Sequence, residues 1–93
     1  MKVTPDIIRQ EFIGTEGKIT ESTHFGYIGI RGKVIDETRN TFTILHKRKA
    51  KSVVKNMAVF NFKFIDGTIV EIDGRLLVGR AEDRIKKTVK RLW

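Results

Sequence analysis

The side chains in this sequence whose type and spacing could do chemistry are cations. His46-Lys47-Arg48-Lys49-Ala50-Lys51 is a short basic run with Lys55 just beyond it, and Arg84, Lys86, Lys87, Lys90 and Arg91 crowd the last ten residues. Like charges this close repel one another unless a polyanion lies against them, so the chemistry they suit is phosphate binding. Nothing competes with that as a catalytic constellation. His24 and His46 are isolated in sequence, no triad candidate is present, and no carboxylates fall at ligand-like spacing. Asp36 and Glu37 read as turn residues. Gly26, Gly29 and Gly32 have the spacing G-x-x-G-x-x-G with no helix-forming run behind them, which is not a phosphate-cradling loop.

The charge is segregated. The 93 residues carry a net +8, but residues 1–37 sum to −1 and residues 38–93 to +9. With a pI near 10.1, clustered Lys and Arg gain affinity for nucleic acid by releasing condensed counterions; a merely solubilising surface or attraction to anionic lipid is the blander reading. One domain is all this length can build around a core. Apolar residues make up 40% and there is a single Pro, a folded composition. The absence of Cys excludes a disulfide framework and thiolate metal sites. No run approaches a membrane span of about 20 apolar residues, and the first residues lack a signal-peptide core, so the expected location is the cytoplasm, away from membranes.

The elements that must position these cations follow from periodicity. Thr4-Pro5-Asp6 predicts a helix start, with Thr4 as N-cap, Pro5 at the first position and Gly14 as the stop, presenting Ile8 and Phe12 on one face. From Gly17 the period becomes two and stays so to about Asp73, an all-β section. A long, curved strand is expected from about Tyr27 to Glu37, with its glycines at barrel corners. Ile28, Ile30 and Val34 share parity and meet Phe42 and Ile44 on one face only if the next loop is odd in length and centred on Thr38, and Asn40 suits an αL position there. Around Asp66-Gly67, a three-residue loop Ile65-Asp66-Gly67 puts Phe60, Phe62 and Phe64 on one face with Val70 and Ile72, with Gly67 in αL; a two-residue loop would bring Glu71 and Asp73 to the Phe face instead. The basic run 46–51 is expected to be a loop. A terminal helix starting near Ala81 has the apolar stripe Ala81, Ile85, Val89 and Leu92.

Gly26 to Ile44, Ile72-Asp73-Gly74-Arg75-Leu76 after the Asp66-Gly67 turn, and the closing Arg80-Ala81-Glu82-Asp83-Arg84-Ile85-Lys86-Lys87 together resemble the family of ribonuclease P protein component 1, the archaeal relative of a eukaryotic RNase P and RNase MRP subunit. The resemblance spans about Phe12 to Lys87; its specificity lies in combining Asp36-Glu37-Thr38 and Asn40-Thr41 with the Arg-x-Glu-Asp-Arg motif. Ala81 stands where the family pattern usually has Pro, which should only soften the helix start. The resemblance implies a mainly β, Sm-like or SH3-like twisted antiparallel barrel with a short N-terminal and a C-terminal helix. The single domain, 1–93, would divide into helix 1–14, barrel 17–79 and basic helix 80–93. It implies an RNA-binding subunit of a ribozyme that removes 5′ leaders from precursor tRNA. The RNA does the chemistry, with Mg²⁺ serving the RNA and no cofactor held by this chain. Its implied partners are ribonuclease P RNA, a small zinc-ribbon protein subunit, and the other ribonuclease P proteins.

Expected RNA contacts are Lys47, Arg48, Lys49, Lys51 and Lys55, then Arg75, Arg80, Arg84, Lys86 and Lys87, and, more weakly, Arg31. Expected protein-partner contacts are Ile8, Phe12, Val89, Leu92 and Trp93, an apolar surplus at the chain ends. Phe42, Phe60, Phe62 and Phe64 are assigned to the core, leaving few stacking platforms and a mainly phosphate-borne affinity. A different RNA-binding barrel, such as a ribosomal protein or an Sm-like ring former, has the same fold class and charge. A stand-alone nuclease lacks residues to carry it.

Overall fold

The computed structural model describes residues 3–84. Six antiparallel strands, β1 (Glu16–Ser22), β2 (Arg31–Glu37), β3 (Thr41–His46), β4 (Lys49–Val54), β5 (Ala58–Lys63) and β6 (Ile69–Asp73), form one sheet in the order β4-β3-β2-β1-β5-β6. Its edge strands β4 and β6 run into 3₁₀ turns, Lys55–Met57 and Gly74–Leu77, that pack on each other and close the barrel. Gly74 permits that closure: a Cβ there would run into the carbonyl oxygens of Lys55 and Ala58 and the Phe60 ring. No described helix is long and apolar enough to cross a membrane.

The β5–β6 hairpin follows its alternation. Phe60 lies opposite Ile72 and Phe62 opposite Val70, all four buried, and the loop is Ile65-Asp66-Gly67 with Gly67 at φ 87°. Asp66 Oδ1 accepts from Thr68 N at 2.9 Å, an Asx-type brace for the turn. The core gathers these rings with Phe42 and Phe12: the Phe12 centroid is 4.3 Å from that of Phe62 and 6.1 Å, edge-on, from that of Phe42.

The β2–β3 hairpin corrects the expected register. Val34 does pair with Ile44, yet Asp36 pairs with Thr43 and Glu37 with Phe42, because the register shifts between Val34 and Asp36. The parity mismatch is absorbed by a bulge in β2 and not by an odd loop; the tip closes with Thr38 N donating to Thr41 O at 2.9 Å, and Asn40 does not have positive φ. A bulge turns every residue beyond it to the other face, so Glu37 points inward with Phe42. Its side chain is 4% exposed, and its reading as a turn residue is wrong.

Three further boundaries differ. The N-terminal helix is only a 3₁₀ turn, Pro5–Arg9, without a side-chain cap from Thr4, and the chain then enters a turn closed by Thr15 N donating to Phe12 O at 3.1 Å, with Gly14 at φ 93°. The long strand breaks up: Phe25–Tyr27 is a 3₁₀ turn, Gly29 has φ 89°, and β2 begins at Arg31. The basic run 46–51 is mostly strand, since His46 pairs with Lys49 and only Lys47 and Arg48 form the turn. The helix α1 is described over Ala81–Arg84; Ile85, Lys86, Lys87, Val89, Lys90, Arg91, Leu92 and Trp93 lie outside the described residues.

Candidate nucleic-acid interface

Two of the expected RNA contacts are buried inside the protein. Lys55 and Arg84 are both 0% exposed, and they converge on Glu37. Lys55 Nζ donates to Glu37 Oε2 at 2.5 Å, to Thr38 O at 2.9 Å, to Arg39 O at 3.2 Å and to Gly79 O at 2.8 Å. Arg84 Nη1 pairs with the same carboxylate oxygen and donates to Leu77 O at 3.0 Å and Gly79 O at 2.6 Å. Its Nε donates to Ile8 O at 2.7 Å and its Nη2 to Gln10 O at 3.1 Å. The Arg84 guanidinium also lies 5.6 Å from the Phe12 ring centroid and the Lys55 ammonium 4.7 Å from that of Phe42. One carboxylate and six carbonyls thus hold two cations where water cannot, and neither can reach RNA.

Ile8 and Phe12, expected on a partner surface, are likewise buried among core residues. The 3₁₀ turn at Pro5–Arg9 lays Ile8 against the barrel, its carbonyl capped by Arg84, and the following turn from Phe12 to Thr15 brings Phe12 in behind it. Both assignments are corrected: these side chains are monomer core.

The remaining basic candidates among the described residues are exposed, and the turn geometry concentrates four of them. Lys47 and Arg48 have φ of 49° and 67°, the doubly left-handed two-residue turn usually filled by Asn-Gly. Holding two long cations there costs each about 1–2 kcal/mol relative to ordinary backbone. Lys49 and Lys51 follow on the exposed edge strand β4, where lysines also discourage edge-to-edge pairing. Across from this turn, the segment 24–31 completes an open groove of about 720 Å³, lined among others by His24, Tyr27, Arg31, His46, Lys47 and Lys51 and by no carboxylate. The His46 ring ties the two sides together, its Nδ1 lying 3.2 Å from Arg31 N and 3.0 Å from Arg31 O.

Arg75 and Arg80 sit elsewhere. Arg75 is exposed but forms a fork with Asp73, Nη2 to Oδ2 at 2.6 Å and Nε to Oδ1 at 3.1 Å. Those hydrogen bonds hold the Asp73 carboxyl below the usual carboxylate range and raise Arg75, so its charge is largely matched locally. Arg80 precedes α1 beside Glu11, Glu37 and Glu82. Among the described residues no three His, Asp or Glu side chains converge as a metal site.

A family model described as ribonuclease P/MRP, subunit p29, matches residues 5–87. The chain belongs to that family. Ribonuclease P protein component 1 of Methanocaldococcus jannaschii is 47% identical over 94 residues, 98% of this chain and 97% of that protein. That of Methanothermobacter thermautotrophicus is 46% identical over 91 residues, 96% of this chain and 98% of the relative. The solved structure of Mth11, a homologue of the human RNase P protein Rpp29, matches with a TM-score of 0.61 at 47% identity, over 82% of this chain and 99% of that one. Two of the motifs on which the resemblance rests, Asp36-Glu37-Thr38 and Arg80-Ala81-Glu82-Asp83-Arg84, are joined by the buried Glu37–Arg84 pair.

Sequence reasoning missed the aromatic side of the groove, where His24 stacks on Tyr27 with ring centroids 4.2 Å apart and planes 21° from parallel. Phe25, in the same turn but outside the groove lining, is 95% exposed, and Ile28, expected on the core face, is 56% exposed because the chain turns at 25–27 before β2 begins. The signal was present in Gly26 and Gly29, three residues apart within an aromatic stretch, which a continuous alternating strand does not need.

Proposed function

We infer that this chain serves ribonuclease P as an RNA-binding protein subunit, holding RNA through phosphates while the RNA removes 5′ leaders from precursor tRNA. The observation that carries this reading is the p29 family match across residues 5–87, to which the carboxylate-free basic groove adds a surface of the right charge. The subunit associates with ribonuclease P RNA and with other subunits. Its protein neighbour in our reading is the zinc-ribbon subunit, which itself supplies the Cys ligands this chain lacks. With Ile8 and Phe12 in the core, the apolar patch we assign to it is the one around Ile13, Phe64 and Ile65, one of several exposed apolar positions among the described residues. Location in the cytoplasm, with Mg²⁺ bound by the RNA and not by this chain, completes the proposal.

The direct test is reconstitution: 5′-leader cleavage of a precursor tRNA by ribonuclease P RNA with the full set of protein subunits, with and without this one. Cleavage and RNA association indifferent to the chain would end the reading.

The strained turn allows a sharper measurement. Replacing Lys47-Arg48 by Asn-Gly removes two positive charges and relieves left-handed backbone strain. Asn still pays part of the left-handed cost and Gly loses more chain entropy on folding, so stability in urea should rise by a net of about 1 kcal/mol, while RNA affinity falls and the log-log salt slope shrinks by about 0.7–0.9 for each phosphate no longer neutralised. Arg75→Ala, removing a charge already matched by Asp73, should change the slope less. Equal slopes in wild type and the Asn-Gly variant would place the phosphate-binding residues on another surface.

A further inference from the structure

The segment His24–Ile30 has features that its fold does not require. His24 is exposed and yet its ring is held from several sides. Its Nδ1 accepts from Gly26 N at 3.1 Å, which puts the ring proton of the neutral imidazole on Nε2. One ring face lies on Tyr27, whose hydroxyl accepts in turn from Val54 N of β4 at 3.3 Å. The backbone beneath is braced as well: His24 N donates to Ser22 Oγ at 2.9 Å, Ser22 Oγ to Met57 O at 2.6 Å, and Thr23 N to Met57 O at 3.2 Å. Gly26 leaves room for the ring, since a Cβ there would sit 3.2 Å from His24 Cε1. Beside this fixed stack the turn holds Phe25 almost wholly in water, and Ile28 more than half. Exposing a phenyl ring forfeits the burial energy of a large apolar side chain, and the described barrel leaves this ring uncovered.

A partner for such a surface must combine a flat apolar face with negative charge. The groove meets both needs at once: the rings of His24 and Tyr27 on one side, Arg31, Lys47 and Lys51 on the other, and no acidic side chain in its lining; Phe25, outside that lining, stands exposed in the same turn. Duplex RNA offers phosphates but keeps its base faces stacked inside the helix, whereas an unpaired nucleotide offers both. We propose that the 24–31 segment and the β3–β4 turn form a binding site for an unpaired RNA nucleotide. Its base stacks on the aromatic turn of His24, Phe25 and Tyr27, and its flanking phosphates lie against Arg31, Lys47 and Lys51. The site deepens the subunit reading, on which it rests, by naming the RNA feature bound, a bulged or loop nucleotide in place of a helix flank.

The test uses the full chain with a short single-stranded RNA carrying one 2-aminopurine, a blunt RNA duplex of equal charge, and vesicles containing anionic lipid. Stacking should quench the 2-aminopurine on binding. Phe25→Ala and His24→Ala, both at exposed positions, should leave the fold intact by circular dichroism, lower single-strand affinity about fivefold to a hundredfold and reduce the quench. Duplex affinity should change by less than about twofold. His24→Phe should retain the quench, because it keeps a ring without the imidazole. Several results would overturn the site: no single-strand binding by wild type, unchanged affinity and quench in both alanine variants, equal losses on duplex and single strand, or a Phe25→Ala defect confined to vesicles. If these arise while the wild-type chain still supports leader cleavage in the reconstituted particle, the stacking site alone fails. Loss of the subunit role would show as failed reconstitution whatever the oligonucleotide does.

Discussion

Glu37→Gln should be among the most damaging single substitutions in this protein, lowering stability by about 3–5 kcal/mol. The change conserves shape and removes one negative charge, and it leaves Lys55 and Arg84 buried side by side with only neutral acceptors. Each cation keeps its carbonyls, so the loss measures the missing charge and not a cavity. Because the network is shielded from solvent, the difference in urea unfolding free energy between variant and wild type should persist in 1 M salt, where exposed pairs are screened to within about 3 Å. The exposed Asp6–Arg9 pair, 3.7 Å apart, gives the contrast: Asp6→Asn should change stability by no more than about 1 kcal/mol. A loss below about 1 kcal/mol for Glu37→Gln would mean that the carbonyls alone neutralise the two cations.

The same carboxylate marks where sequence reading stops. The β5–β6 hairpin was legible because its alternation is unbroken and only one loop length keeps Glu71 and Asp73 off the Phe face; the register is the one those penalties select. In β2 the alternation is broken by the adjacent pairs Val34-Ile35 and Asp36-Glu37; a bulge at Ile35 shifts the parity of everything after it, a mismatch that sequence reading assigns to the loop. Glu37 therefore reads as a turn residue and is in fact the innermost acid of the fold. Lys55 and Arg84 were misplaced for a related reason: within a basic cluster, a count of charges cannot tell a cation that meets carbonyls inside from one that meets water. The exposed members of the run, Lys47 to Lys51, lie on the surface whether the run is drawn as loop or strand, because it sits at a hairpin tip. The His24–Tyr27 stack was missed because its glycines were read as bends in a strand. They end the strand and turn the aromatic side chains outward.

Phe12→Ala should cost about 3–5 kcal/mol of stability, and this assigns the residue to the monomer. Phe12 sits against Phe62, Phe42 and Phe64 and under the Arg84 guanidinium, so truncation removes a ring from the centre of the core and loosens the lid that Arg84 forms over it. Thermal unfolding of the isolated chain reads the loss without any partner. Calorimetry against the zinc-ribbon subunit, at a temperature where the variant is still folded and with its folded fraction measured, should then give an affinity per folded molecule close to that of wild type. The opposite pattern, a stability change under about 1 kcal/mol with partner affinity lowered tenfold or more, would require the ring to leave the core when the partner binds. The N-terminal segment would then be a moving part of the interface, at odds with the hydrogen bonds that Arg84 makes to Ile8 and Gln10 in the closed form. Ile13→Asp separates the two cases: at an exposed position beside Phe64 and Ile65, it should leave unfolding almost unchanged and weaken the partner if that patch is the interface.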